Sequence, residues 1–176
     1  GSGNKATVKQ TLAAVFQPGT YTLTAAVGTA NGSTAAENNA LIIMQGTTWL
    51  GWATIPRDQV PVGALADKTV TLVIRDDSPY VGLPITIMLS SSTTTSQPRV
   101  TCFDHIRLEF VPEAEDARSI IFASDFAGVT GTPIAALPEW SDAAVFDGAT
   151  RMIEGNTGKF HGGGNGAWYN SSIRAD

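Results

Sequence analysis

Thr101-Cys102-Phe103-Asp104-His105-Ile106-Arg107-Leu108-Glu109-Phe110 is the stretch whose reading decides the fold class of this chain. Ile106, Leu108 and Phe110 fall on one face of an extended chain. His105, Arg107 and Glu109 fall on the other. That period of two is a strand's. Val111-Pro112 stops it, because proline has no N–H to give a ladder. The charged run Glu113, Glu115, Asp116 and Arg118 then reads as a linker. This strand therefore closes one β module over residues 1–112, followed by a linker at 113–119.

Upstream, the same alternation recurs. Val8, Leu12 and Phe16 mark a first strand, and Tyr21, Leu23, Ala25 and Val27 mark a second. Between them lies Gln17-Pro18-Gly19-Thr20. Proline presets φ at the second turn position and glycine supplies positive φ at the third. The pair is predicted to form a hairpin. Leu41-Ile42-Ile43 is a continuous apolar run bounded by turn residues, which predicts a buried strand. Trp49 and Trp52 follow, three residues apart. In a regular strand that spacing sends them to opposite faces. Val70, Leu72 and Ile74 define another strand, and Ile85, Ile87 and Leu89 one more. Ser91 to Pro98 is rich in Ser and Thr and reads as a hairpin tip. Six or seven strands at regular spacing, without a helix, predict an all-β antiparallel sandwich of jelly-roll type.

Residues 120–176 restart the pattern with Ile120-Ile121-Phe122, Ala144-Val145-Phe146 and Arg151-Met152-Ile153-Glu154. Such a segment is too short for a core of its own. It reads as a β-rich partial second module, or as strands completing the first module or a neighbouring copy.

Composition excludes several classes. Net charge is −5 and no basic cluster occurs, so a nucleic-acid footprint is not expected. No apolar run approaches the ~18 residues of a membrane span. No leader peptide is visible. The single cysteine, Cys102, rules out an intrachain disulfide and reads as an inert buried thiol. The two histidines, His105 and His161, lie in no zinc-binding spacing. No G-x-S-x-G elbow is present. The run Gly162-Gly163-Gly164-Asn165-Gly166 lacks the Lys-Ser/Thr of a phosphate loop. These absences point to a non-enzymatic protein.

Gln10-Thr11-Leu12, Gly19-Thr20-Tyr21-Thr22-Leu23 and Phe103-Asp104-His105-Ile106-Arg107-Leu108 together resemble bacterial and phage jelly-roll modules of the galactose-binding-like, carbohydrate-binding type. The resemblance covers about residues 5 to 111. Asp125, Phe126, Gly128, Gly131, Thr132, Ile134 and Trp140 resemble the opening of a laminin-G or concanavalin-like segment. The first resemblance implies a structural calcium ion held by loop carboxylates. Asp104 matches the Asp of the closing motif, with Asp76, Asp77 and Asp67 as further loop acids. It also implies sugar binding through aromatic rings. Trp52, Trp49 and Tyr80 are the candidates in the first module, and Trp140, Trp168 and Tyr169 in the tail. The expected function is thus non-catalytic binding of a polysaccharide or glycan by a module of a larger extracellular protein. The alternative is a structural subunit of a phage fibre, virion or cell-surface assembly, a homo-oligomer joined through unblocked edges or tail strands.

Overall fold

The computed structural model describes residues 5–94 and 99–113, together with the backbone of strands at 119–124, 141–145, 150–154 and 157–161. Seven strands precede the linker: β1 (Lys5–Val15), β2 (Gly19–Gly28), β3 (Asn38–Gln45), β4 (Thr48–Pro56), β5 (Leu65–Ile74), β6 (Pro84–Ser92) and β7 (Val100–Pro112). Four more follow: β8 (Ser119–Ser124), β9 (Ser141–Val145), β10 (Thr150–Glu154) and β11 (Thr157–His161). A 3-10 turn at Arg57–Gln59 is the one helical element among the described residues. Sheet A has the order β4-β3-β6-β1-β9, and sheet B the order β10-β11-β7-β2-β5, with β8 also paired to β7. The strand ladders are antiparallel throughout. The protein is an all-β antiparallel sandwich.

The interior follows from the alternation read in the sequence. Val8 and Leu12 of β1, Leu41 and Ile43 of β3, and Ile85, Ile87 and Leu89 of β6 point from sheet A into one core. Leu23, Val70, Leu108 and Phe110 meet them from sheet B. Tyr21 sits edge-on to Phe16 at 5.3 Å and lies 4.7 Å from Phe110, which locks one end of the sandwich.

The expected β1–β2 hairpin does not form, because β1 belongs to sheet A and β2 to sheet B. Phe16 occupies the corner and is fully buried. Its N–H donates to the Leu83 carbonyl at 2.9 Å, and its own carbonyl accepts from Gly82 at 2.8 Å. The corner's backbone groups are thus satisfied by the β5–β6 loop rather than across a hairpin. Gly19 has φ of 150° and packs so tightly on β7 that a Cβ there would stand 2.4 Å from the Val111 carbonyl oxygen. The Ser91–Pro98 segment likewise passes from β6 in one sheet to β7 in the other instead of closing a hairpin; residues 95–98 lie outside the described residues.

β7 departs from strict alternation at one point. Its pairing with β2 runs Thr24↔Arg107 and then Ala26↔Asp104, so two residues oppose Ala25. His105 takes φ of 48° in this bulge. Uninterrupted alternation would put Asp104 on the inward face with Ile106. The extra residue turns it outward and keeps a carboxylate away from the apolar core, where burial is costly.

The later strands extend the same two sheets. β9 lies on the free side of β1, and β11 and β8 share the side of β7 away from β2. Asp125 to Trp140, the glycine run 162–166, Trp168 and Tyr169 lie outside the described residues.

Candidate functional site

Gln45-Gly46-Thr47-Thr48 closes a true hairpin between β3 and β4, with Gly46 at φ of 57°. The β3–β4 register then slips: Met44 opposes Trp49 but Ile43 opposes Gly51. Leu50 is the extra residue, and it packs inward against the core. Trp49 and Trp52 therefore share the outer face of sheet A rather than pointing opposite ways. Their ring centroids are 6.3 Å apart with planes tilted by 54°. Trp49 is 44% exposed and Trp52 58%, so neither is core.

Reading across the strands gives the rest of this face. One row runs Trp49, Met44, Thr86, Thr11; the next runs Trp52, Ile42, Met88, Lys9. Ile42, Met44 and Met88 form an apolar cluster separate from the main core. They are buried although they point away from the sandwich interior. The Thr11 and Thr86 hydroxyls hydrogen-bond at 3.0 Å beside them. An aromatic bank on β4 thus faces a hydroxyl and amine bank on β1 across an apolar floor.

The face is curled. Lys5 lies in the row of Ser92, Asn38 and Pro56, and so occupies the corner diagonal to Trp49. In a flat sheet three strands and six residues apart, these positions would be about 25 Å from each other. The Lys5 ammonium is 5.8 Å from the centre of the Trp49 ring. Two side chains reach that close only if the corners bend toward one another over the floor. Such an ammonium–ring contact is favourable by ~0.5–1 kcal/mol at an exposed site.

The other sequence candidates lie elsewhere. Tyr80 is in the β5–β6 loop and packs against the main core. Asp76 and Asp77 are exposed in the same loop. Asp104 is on the outer face of sheet B, seven positions along β2 from the Gly19 end that this loop adjoins, about 23 Å of strand. It is 4% exposed, and one carboxylate oxygen accepts the His105 N–H at 2.8 Å. Asp67, two strands over, is held by Arg107 at 2.6 Å. Among the described residues no group of three or more His, Cys, Asp or Glu gathers to hold a metal ion. Asp104 is thus too far from Asp76 and Asp77 for the three to share one calcium ion. No helix among the described residues is long and apolar enough to cross a membrane, which says nothing of a β-barrel.

At the end of the sandwich opposite Phe16, Glu37 ties three loops together. It pairs with Arg57, lies 3.5 Å from Arg99 Nε and accepts the Thr94 N–H at 3.3 Å. Burial raises the Glu37 pKa. The Thr93 hydroxyl, a backbone N–H and the two guanidiniums outweigh it and hold the carboxyl below its ordinary 4.5.

Residues 1–109 match the HpiC1-like family, described as HpiC1 cyclase. The chain belongs to that family. Solved structures agree in kind. A Stig cyclase, Fisc, from Fischerella sp. TAU in complex with (3Z)-3-(1-methyl-2-pyrrolidinylidene)-3H-indole is 27% identical, with a TM-score of 0.50 over 64% of this chain and 59% of that one. A cyclase from Fischerella sp. TAU in complex with 4-(1H-indol-3-yl)butan-2-one is 26% identical, with a TM-score of 0.48 over the same shares. The chain thus spans 59% of the length of these structures. No curated protein matches it.

The HpiC1-like match corrects the functional expectations. The jelly-roll sandwich stands, but its family is one of cyclases, not of galactose-binding-like carbohydrate modules. The non-enzymatic reading and the phage-fibre alternative fall with that, as does the expected polysaccharide partner, since the Stig cyclase Fisc was solved with a small indole-type molecule. Motif absence misled here: catalytic Ser, Cys-His and zinc patterns report hydrolases and metalloenzymes, and a family described as cyclases need carry none of them. Sequence reading also missed Lys5, Met44 and Met88. The run Leu41 to Met44 was the available signal, because a strand apolar at every position is covered on both faces.

Proposed function

We propose that the curled outer face of sheet A receives a small indole-type molecule and that this HpiC1-like chain takes part in closing a ring on it. The observation that carries the reading is the shared-face pair Trp49 and Trp52 above the Ile42, Met44 and Met88 floor. Two tilted rings form a wall against which a planar aromatic stacks. Ring closure brings two parts of one molecule together, and the exposed Trp49 and Trp52 rings, held up by the buried floor, offer the apolar surface that favours folded conformers able to react. Carbon centres that become electron-deficient on the way are stabilised by indole faces. The paired Thr11 and Thr86 hydroxyls offer a donor and an acceptor for a polar atom of the substrate. No step is assigned to a metal. A structural calcium at Asp104 would need ligands other than Asp76 and Asp77, which lie at the far end of the strand.

Isothermal titration of the whole chain with (3Z)-3-(1-methyl-2-pyrrolidinylidene)-3H-indole tests this. Saturable binding, weakened about tenfold by Trp52→Ala, is the expected result, since one stacked ring contributes ~1–2 kcal/mol. Binding of equal strength in the variant would remove this face from the assignment.

A further inference from the structure

The Trp49 ring already has an occupant. Lys5 begins β1, and its ammonium stands 5.8 Å from the centre of that ring. No ion pair among the described residues holds it there. A lysine head at a protein surface is ordinarily left in water, since its stem is long and mobile and its charge strongly hydrated. Its place over Trp49 marks where the negative face of the indole draws a cation out of bulk solvent. Trp49 and Trp52 remain exposed, with their rings 6.3 Å apart, so a ligand on one ring is beside the other.

We infer that the Trp49 ring is a cation seat, and that this face takes aromatic ligands bearing an alkylated or delocalised positive charge, which displaces the Lys5 ammonium. The inference rests on the proposed use of the same face and adds the charge class of its ligand. Competition with Lys5 decides that class. A primary ammonium on the ligand would exchange one strongly hydrated charge for another, with no net gain. An alkylated or delocalised cation gives up its water more readily, and quaternary ammonium groups are the ligands that aromatic faces are known to recognise. A ligand stacked on Trp52 has 6.3 Å to span before its charge lies on Trp49. A two-carbon arm on an indole covers such a span. The displaced Lys5 stem returns its head to water, so displacement loses only the weak contact that it leaves.

N,N,N-trimethyltryptammonium and tryptophol are the probes, titrated calorimetrically into the whole chain. They share the indole and the two-carbon arm and differ in the charge. The cation is expected to bind about fivefold tighter than tryptophol. Lys5→Met is expected to tighten the cation by a further factor of about two to five, more than it changes tryptophol. Circular dichroism of the variant reports that its fold is intact. Proton spectra of the wild-type chain supply a readout that simple charge repulsion would not move. The Lys5 ε-methylene signals, shifted upfield by the Trp49 ring, are expected to return downfield when the cation is added and to stay in place with tryptophol. Equal binding of the two probes would overturn the inference and leave the proposed function standing. A preference for the cation that Lys5→Met does not increase, or Lys5 signals that the cation leaves unmoved, would overturn the displacement of Lys5. Failure of both probes to bind would overturn both readings.

Discussion

Trp49 and Trp52 stand on one face of β4 with their rings 6.3 Å apart, although three residues of regular strand would part them to opposite faces. Leu50 causes this by entering β4 as an unpaired residue opposite the Ile43–Met44 step. Deleting Leu50 would remove the bulge and leave Trp49 and Trp52 two positions apart, still on one face of a regular strand. The deletion variant is expected to keep indole binding while losing the core contact of Leu50, a cost of about 1–3 kcal/mol seen in the urea midpoint. Loss of binding in a folded deletion variant would show that the bulge itself shapes the face.

Gly19→Ala tests the corner that replaces the expected hairpin. The added methyl would meet the Val111 carbonyl oxygen at 2.4 Å and the Phe110 ring at 2.6 Å, both part of the packed core end. A loss of ~2–3 kcal/mol is expected, seen as a lower urea midpoint at unchanged slope. A midpoint equal to wild type would mean that β7 can move away from β2.

His105 adopts φ of 48° in the β7 bulge, a region that suits glycine. His105→Gly is expected to be neutral or stabilising by up to ~1 kcal/mol, and His105→Val to destabilise by more than that. Thermal melts of the two variants compare them directly. The opposite order would place the conformational demand elsewhere in β7.

Most of the sandwich was legible in the sequence, and the reasons are local. Strand position followed from period-two alternation in residues such as Tyr21, Leu23, Val70, Leu72 and Ile87, which any strand buried on one face must show. Which strands pair was not legible. Pro18-Gly19 signals a reversal, but nothing local says whether the chain returns beside β1 or crosses to the other sheet; Leu83 and Gly82, more than 60 residues away, decide that through Phe16. The site was half legible. Trp49 and Trp52 stood out as candidate ligand rings, yet their shared face depends on a one-residue bulge that composition does not reveal. Lys5 entered the site only through sheet curvature, a property of the whole fold.

Glu37 gives the chain an acid-sensitive end. Its folded pKa lies below its ordinary 4.5, so its contribution to stability is present above about pH 4.5 and is lost as pH falls through the folded value. The urea midpoint is expected to drop over that interval. Glu37→Gln should flatten this part of the profile while lowering stability at neutral pH, because Arg57 and Arg99 lose their shared partner. A profile unchanged by the substitution would exclude Glu37 as the titrating group.

The most direct test of the ligand face uses the tryptophan side-chain N–H resonances in a proton–nitrogen correlation spectrum. The chain has four tryptophans, and Trp49→Phe and Trp52→Phe assign two of the signals. On titration with (3Z)-3-(1-methyl-2-pyrrolidinylidene)-3H-indole, the Trp49 and Trp52 signals are expected to shift together, along with backbone amides of Ile42, Met44 and Met88. If those signals stay in place while the amides around Asp104 and Arg107 move, the ligand binds on sheet B and the assignment of the curled face is contradicted.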